Sequence, residues 1–201
     1  MSGWRDRLDE IGERHGLDDG RRERLARLLE LVRDDPTAPT TVRDPSDAVD
    51  VHVADSLVAL ELEVVRAAQR IADIGAGAGF PGLPLAVALP GARVALVESA
   101  SRKCTFLRRA IAVTGADNAE VVCARVEEWP ERDLDLVCVR ALAPLAVIAD
   151  YAAPLLRIGG HVVAWKGRPQ PAEERGGAVV AERLGLRPAG GLPVDPFSVA
   201  E

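Results

Sequence analysis

Between residues 20 and 34 apolar side chains recur every three or four positions (Leu25, Leu28, Leu29, Val32), and arginines and acids fill the places between them. This is the stripe of an amphipathic helix. The chain before it reads as a second such helix with Ser2 as its N-cap, so residues 2 to 34 predict a helical pair. Arg21, Arg22, Arg24 and Arg27 are interleaved with Glu23 and Glu30, the pattern of a solvated face rather than a binding patch. "DDPTAPTTVRDPSD", residues 34 to 47, reads as a linker, after which Ser46 caps a third helix running to about residue 63.

From residue 70 the pattern changes. Short apolar runs at 70 to 74, 92 to 98, 119 to 123, 134 to 139 and 160 to 165 alternate with helical segments near 82 to 89, 101 to 115 and 144 to 156. Such alternation predicts an α/β fold, a mostly parallel sheet with helices on both faces, over residues 65 to 201, behind a helical N-terminal extension over residues 1 to 64. Ligands of such sheets bind beyond the carboxyl ends of the strands. A glycine loop, "DIGAGAGFPGLPLAV", stands just past the first of them.

Gly77, Gly79 and Gly82 match the dinucleotide pattern G-x-G-x-x-G, which alone also describes a tight turn. A pyrophosphate site uses the free N–H groups of a helix N-terminus, and Pro81 and Pro84 delete two such donors. Asp73 would moreover set a carboxylate close to the phosphates. S-adenosylmethionine meets neither objection, because it has no phosphate and carries an ammonium and a sulfonium. On that reading Asp73, Gly75, Gly77 and Gly79 surround the cofactor, Phe80 packs on it, and Glu98 accepts from ribose hydroxyls. "ARVEEW" then reaches the adenine edge through Val126 and Glu127.

Composition adds limits. Aromatic residues are only 3% of the chain, and Leu, Val and Ala carry the hydrophobic mass, which suits helices on a sheet. No apolar run nears the roughly 20 residues of a membrane span. "MSGWRDRLDE" is charged too early for a secretory signal, so a cytoplasmic protein is expected. Cys104, Cys123 and Cys138 have neither zinc-site spacing nor an even count, and are expected as small reduced core residues. The net charge of −6 means that any RNA partner must be met by local patches.

The glycine loop followed in order by "LVESASRKCTFLRRAI", "ARVEEW", "VRALAPL" and "VVAWKG" resembles the RsmG (GidB) family of bacterial methyltransferases, which act on N7 of a guanine in 16S ribosomal RNA. Upstream, "TTVRDPSDAVDVHVADSL" extends the resemblance to about residues 38 to 168. It implies a Rossmann-like, SAM-dependent methyltransferase with 16S rRNA or the small ribosomal subunit as partner, and no metal, membrane or obligate oligomer. Gly75, Phe80, Val126, Glu127 and Arg140 fall at the family's cofactor positions; Asp73, Gly77, Gly79 and Glu98 come from the site chemistry above. Arg43, Asp44 and Pro45 match its R-x-D-P element, His52, Asp55 and Ser56 its H-x-x-D-S element, and Lys166 with Gly167 its K-G element. No catalytic residue is assigned.

Guanine N7 holds an in-plane lone pair, so methylating it needs positioning and no general base. Consistently, "VRALAPL" follows the fourth strand where attack by an exocyclic amine would call for Asn-Pro-Pro-Tyr. Arg140 there is placed to reach the cofactor carboxylate or a guanine edge. Arg102, Lys103, Arg108 and Arg109, with Lys166 and Arg168, are candidate phosphate contacts, or equally a solvated helix face. The family's Asn-Leu-Thr is Ala38, Pro39 and Thr40 here, the residue before the histidine is Val51 rather than arginine, and Val139 replaces a serine. The tail, "LRPAGGLPVDPFSVAE", shows no final apolar strand to close the sheet. Two other classes fit the residues: a divergent SAM-binding module that does not methylate RNA, and a NAD-dependent oxidoreductase, for which no catalytic His or Tyr-Lys arrangement is visible.

Overall fold

A computed structural model describes residues 3 to 168 and 170 to 191. Two helices come first, α1 (Trp4–Arg14) and α2 (Asp19–Asp34). Asp18 caps α2 by accepting from the Arg21 N–H at 2.8 Å. Gly3 stands at the cap position of α1; Ser2, the expected cap, lies outside the described residues, as does the tail from 192 onward.

The expected third helix is not continuous. Asp44, not Ser46, is the cap: its carboxylate accepts from the Ser46 N–H at 2.9 Å and Pro45 opens α3 (Pro45–Ala48). Proline suits that first position because its missing donor is one the helix would leave unpaired. The chain then widens into a π-helix (Val49–Ala54), resumes as α4 (Asp55–Leu57) and a 3₁₀ turn (Val58–Glu61), and breaks at extended Leu62 before α5 (Glu63–Arg66). Widened turns of this kind concentrate at functional sites.

The sheet matches the alternation closely: β1 (Arg70–Ile74), α6 (Gly82–Ala88), β2 (Arg93–Val97), α7 (Ser101–Thr114), β3 (Ala119–Val122), a 3₁₀ turn (Val126–Glu128), β4 (Leu134–Arg140), α8 (Leu145–Ala152) and β5 (Leu156–Trp165). A 3₁₀ turn (Ala153–Leu155) links α8 to β5, and α9 (Pro171–Arg183), which the pattern did not announce, follows. The strands pair in parallel in the order β3-β2-β1-β4-β5, with β1 central.

Alternate residues of the strands feed two cores. Ile71, Leu96, Leu136 and Cys138 face a cluster that continues without a break through α6 and α7 into Leu25, Leu28 and Leu29 of α2 and Leu8 of α1. Ala72, Ile74, Ala95, Val97, Val137 and Val139 face α8. The helical extension therefore shares its hydrophobic core with one face of the sheet. Among the described residues no helix is long and apolar enough to cross a membrane.

One expectation is overturned in the cysteines. Cys104, buried in the first turn of α7, and Cys123, exposed just after β3, are joined as a disulfide with Cα atoms 5.8 Å apart. Only Cys138 is a buried free thiol. Spacing hid the pair because a whole helix and strand separate its members, while the parallel pairing of β2 with β3 returns both to the sheet's carboxyl edge.

Candidate cofactor site

The glycine loop leaves the end of β1 and is pinned to its neighbour by the backbone. The Gly75 and Ala76 N–H groups donate to the Val97 carbonyl at 2.8 and 3.1 Å, and Gly79 N–H donates to the Ala76 carbonyl at 2.6 Å. Gly75, Gly77 and Gly79 hold φ of 73°, 56° and 93°, the left-handed region where a side chain is strained. Space adds a second demand at Gly79, where a Cβ would come within 2.5 Å of Leu83. A Cβ on Gly77 would instead meet nothing nearer than the Gly75 carbonyl oxygen at 3.7 Å. Gly77 thus presents bare backbone outward.

Glu98 closes this cradle. Its Oε2 accepts from the Gly77 N–H at 3.2 Å and its Oε1 from the Ala100 N–H at 2.9 Å, with Lys103 Nζ 3.6 Å from Oε2. Each carboxylate oxygen has room for a second bond, so the group can take hydroxyls while remaining fixed.

Asp73 is placed differently from the expectation that it faces the cofactor. It is 1% exposed and turns beneath the loop, where its carboxylate accepts from the Gly82 N–H at 2.8 Å. Burial pushes its pKa up to about 7, against the lowering effects of the Gly82 bond and of Arg140. The same burial, with Asp73 close by, raises the Cys138 thiol. Asp73 holds the loop's underside; it does not line its open face.

A second cluster stands at the end of β4. Arg140 donates to the Val51 carbonyl at 3.0 Å and to Asp55 Oδ2 at 3.2 Å, and its other terminal nitrogen lies 3.3 Å from His52 Nδ1. The guanidinium also rests over the Phe80 ring at 5.6 Å, on which His52 is stacked with centroids 4.5 Å apart. His52 Nε2 lies 3.1 Å from both the Val42 carbonyl and Thr40 Oγ1. A neutral ring with its proton on Nε2 satisfies every one of these partners. Burial, then the Arg140 charge, lowers its pKa to about 4, in keeping with that tautomer. Burial raises the Asp55 carboxyl against Arg140, and Trp165 Nε1 donates to the Asp55 carbonyl at 2.7 Å.

Arg140 is therefore committed to the N-terminal segment, and Phe80 lies beneath His52 rather than open to a ligand. The π-helix has a physical reason here: it turns the Val51 carbonyl and the His52 ring toward β4 together. Of the two motifs read upstream, H-x-x-D-S supplies this clasp with His52 and Asp55, whereas R-x-D-P ties the linker to the end of α2, Arg43 donating to the Val32, Arg33 and Asp35 carbonyls.

Val126 and Glu127 sit on the 3₁₀ turn beyond β3, half-buried and exposed respectively. Of the basic cluster on α7, Lys103 is engaged by Glu98, and Arg109 by Asp35 at 2.9 Å and Thr37 at 2.7 Å. Arg102 and Arg108 are exposed and make no ion pair among the described residues. Lys166 pairs with Glu173 at 2.6 Å. Sequence reasoning missed Leu142, exposed after β4 beside Ala141 at φ 52°, whose side chain lies where a Cβ on Gly75 would be. Nothing in "ALAPL" marks it.

Residues 26–182 match the model of the GidB family, described as rRNA small subunit methyltransferase G. The chain belongs to this family. A GidB relative from Rubrobacter xylanophilus, "Ribosomal RNA small subunit methyltransferase G", is 46% identical over 157 residues, covering 76% of this chain and 60% of the relative. One of the same name from Methylococcus capsulatus is 40% identical over 169 residues, 83% of this chain and 80% of the relative. The chain thus spans somewhat under two thirds of the first and most of the second. Among solved structures, the mitomycin 7-O-methyltransferase MmcR superposes with a TM-score of 0.60 at 19% identity, covering 83% of this chain and 56% of that one. A precorrin-6y C5,15-methyltransferase from Geobacter metallireducens gives 0.52 at 21%, covering 76% and 79%. These likenesses show the fold, a parallel α/β sheet shared with both methyltransferases.

Proposed function

We propose that the protein methylates N7 of a guanine in 16S ribosomal RNA, using S-adenosylmethionine, in the cytoplasm. The observation that carries the reading is the bare backbone of Gly77, open on one side and held on the other by the fixed carboxylate of Glu98. The bare backbone admits close approach of a cofactor and the Glu98 carboxylate suits its ribose hydroxyls, while Pro81 and Pro84 remove N–H donors that a pyrophosphate would use. Val126 and Glu127 would meet its adenine. When bound, the cofactor supplies an electrophilic methyl group.

The chain's own part is to position. Glu98 holds the ribose end, Asp73 keeps the loop in shape from below, and the His52, Asp55 and Arg140 clasp fixes the end of β4. Leu142 packs over Gly75 at the end of β4. N7 of guanine gives up no proton, so no base is required, and orientation alone lowers such barriers by several kcal/mol, up to roughly 7 to 11 in favourable systems.

Methyl transfer from labelled SAM to small subunits of a strain lacking its own enzyme tests the reading, with the product mapped to guanine N7. Binding of SAM without transfer to RNA would leave a cofactor-binding module in its place. Binding of NAD but not SAM would overturn the cofactor itself.

A further inference from the structure

We infer that Cys104 and Cys123 form a reversible redox couple, a modification site for small thiols and disulfides, whose oxidised state tightens the cofactor pocket. The inference rests on the cofactor reading above. Cys123 immediately precedes the Ala124, Arg125, Val126, Glu127 stretch assigned to the adenine, and Cys104 lies in the first turn of α7, its Sγ 3.2 Å from the Glu98 carbonyl oxygen. Their bond fastens the two walls of the same pocket edge to each other. Between them, the Glu98 N–H donates to the Val122 carbonyl at 3.0 Å.

Both redox states are accommodated. Cys104 Sγ lies 3.2 Å from the Glu98 carbonyl oxygen, so on reduction its thiol donates there and leaves no buried polar atom stranded. The two cysteines also differ as a reactive pair should. Cys123 is exposed and open to a small disulfide, whereas Cys104 is fully buried behind it.

The chemistry is thiol–disulfide exchange. The Cys123 thiolate attacks one sulfur of a small disulfide such as oxidised glutathione, forming a mixed disulfide and releasing one thiol. Cys104 then gives up its proton and displaces the second thiol. The protein pair loses two electrons, and the small disulfide gains them as two thiols.

Cross-linking holds the adenine turn against α7, so a larger share of molecules is ready to bind, and affinity rises by that share. S-adenosylhomocysteine binding, measured by calorimetry on the full chain equilibrated in oxidised and in reduced glutathione, should be about fivefold tighter in the oxidised protein. Thiol counting after denaturation should find one free cysteine in the first and three in the second. Cys123→Ser should bind with the reduced protein's affinity in both buffers, whereas Cys104→Ala, lacking the resolving thiol, should carry one glutathione as a mixed disulfide in the oxidising buffer and bind no more tightly there than when reduced. Three free thiols in the oxidising buffer would overturn the couple. Equal affinity in both states with the bond demonstrably formed would overturn its coupling to the pocket. No binding in either state would instead overturn the cofactor reading, and the coupling with it.

Discussion

The glycine loop and the clasp at the end of β4 flank the same sheet edge but are built in opposite ways. The loop is made by backbone: its hydrogen bonds start from main-chain N–H groups of residues 75 to 82 and end on Asp73, Ala76, Val97 or Glu98. The clasp is made by strangers: Arg140 reaches Val51, His52 and Asp55, 85 to 89 positions away. A loop of the first kind depends on the absence of side chains and fails when one is added. A clasp of the second kind depends on their presence and fails when one is removed.

The largest effect is expected from adding a side chain to the loop. A Cβ on Gly82 would overlap Leu96 and stand 2.8 Å from Asp73 Oδ2, both in the packed core. Gly82→Val should lose about 4 kcal/mol of stability, a large part of the roughly 5 to 15 kcal/mol typical of a folded domain. Gly91, where a Cβ meets nothing within 4 Å, supplies the control. Gly91→Ala should fall within about 0.5 kcal/mol of wild type in the same urea titration. Equal midpoints for the two variants would remove packing from the account of the loop.

Subtraction from the clasp comes next. Arg140→Ala strands Asp55, the Val51 carbonyl and His52 Nδ1 in a half-buried site, and should destabilise by about 3 kcal/mol. Arg140→Lys should recover less than half of that, because one ammonium cannot reach three acceptors spread along a fork. Full recovery by lysine would mean that charge alone, not geometry, holds the clasp.

This difference also explains what was legible beforehand. The strands, the glycine loop and the helices between them are written in local periodicity, and β1 appears where the apolar run at 70 to 74 put it. The broken third helix was not legible, because the pull of Arg140 on Val51 and His52 is a tertiary effect that overrides helical spacing. The disulfide was hidden for the same reason. Asp73 was read correctly as part of the loop, but its facing was not legible. Only the β pleat, which sends Asp73 to the α6 side while Ala72 and Ile74 go to α8, decides that it lies beneath.

A smaller effect distinguishes the two regions by pH. Asp73, with its pKa raised from the ordinary 3.8 to about 7, contributes stability that is complete below about pH 4 and is lost as pH rises through 7. His52, lowered from 6.5 to about 4, does the reverse: its contribution is complete above about 6.5 and is lost as pH falls toward 4. The two slopes oppose each other, so wild-type stability should be nearly flat over that window. Asp73→Asn keeps an acceptor for the Gly82 N–H but removes one slope, and its stability should rise by about 2 kcal/mol from pH 4 to 6.5. A variant profile that runs parallel to the wild-type one would show that the loop's acid does not titrate there.

The smallest effect on stability is expected on α7, where the contrast between anchored and free groups recurs among four cations. Lys103 and Arg109 are spoken for by Glu98 and Asp35, whereas Arg102 and Arg108 are exposed and unpaired among the described residues. Replacing both free arginines by alanine should change stability by less than about 0.5 kcal/mol. If they meet phosphates, each contributes a released counterion. The slope of log affinity against log salt for ribosomal RNA should then shrink by about 1.4 in the double variant. Arg109→Ala should behave in the opposite way, lowering stability by about 1 kcal/mol because Asp35 Oδ2 loses its partner while Oδ1 keeps the Thr37 N–H and hydroxyl, and leaving the salt slope where it was. An unchanged slope in the Arg102, Arg108 variant would assign this helix face to solvent and move the RNA contacts toward the mouth of the pocket.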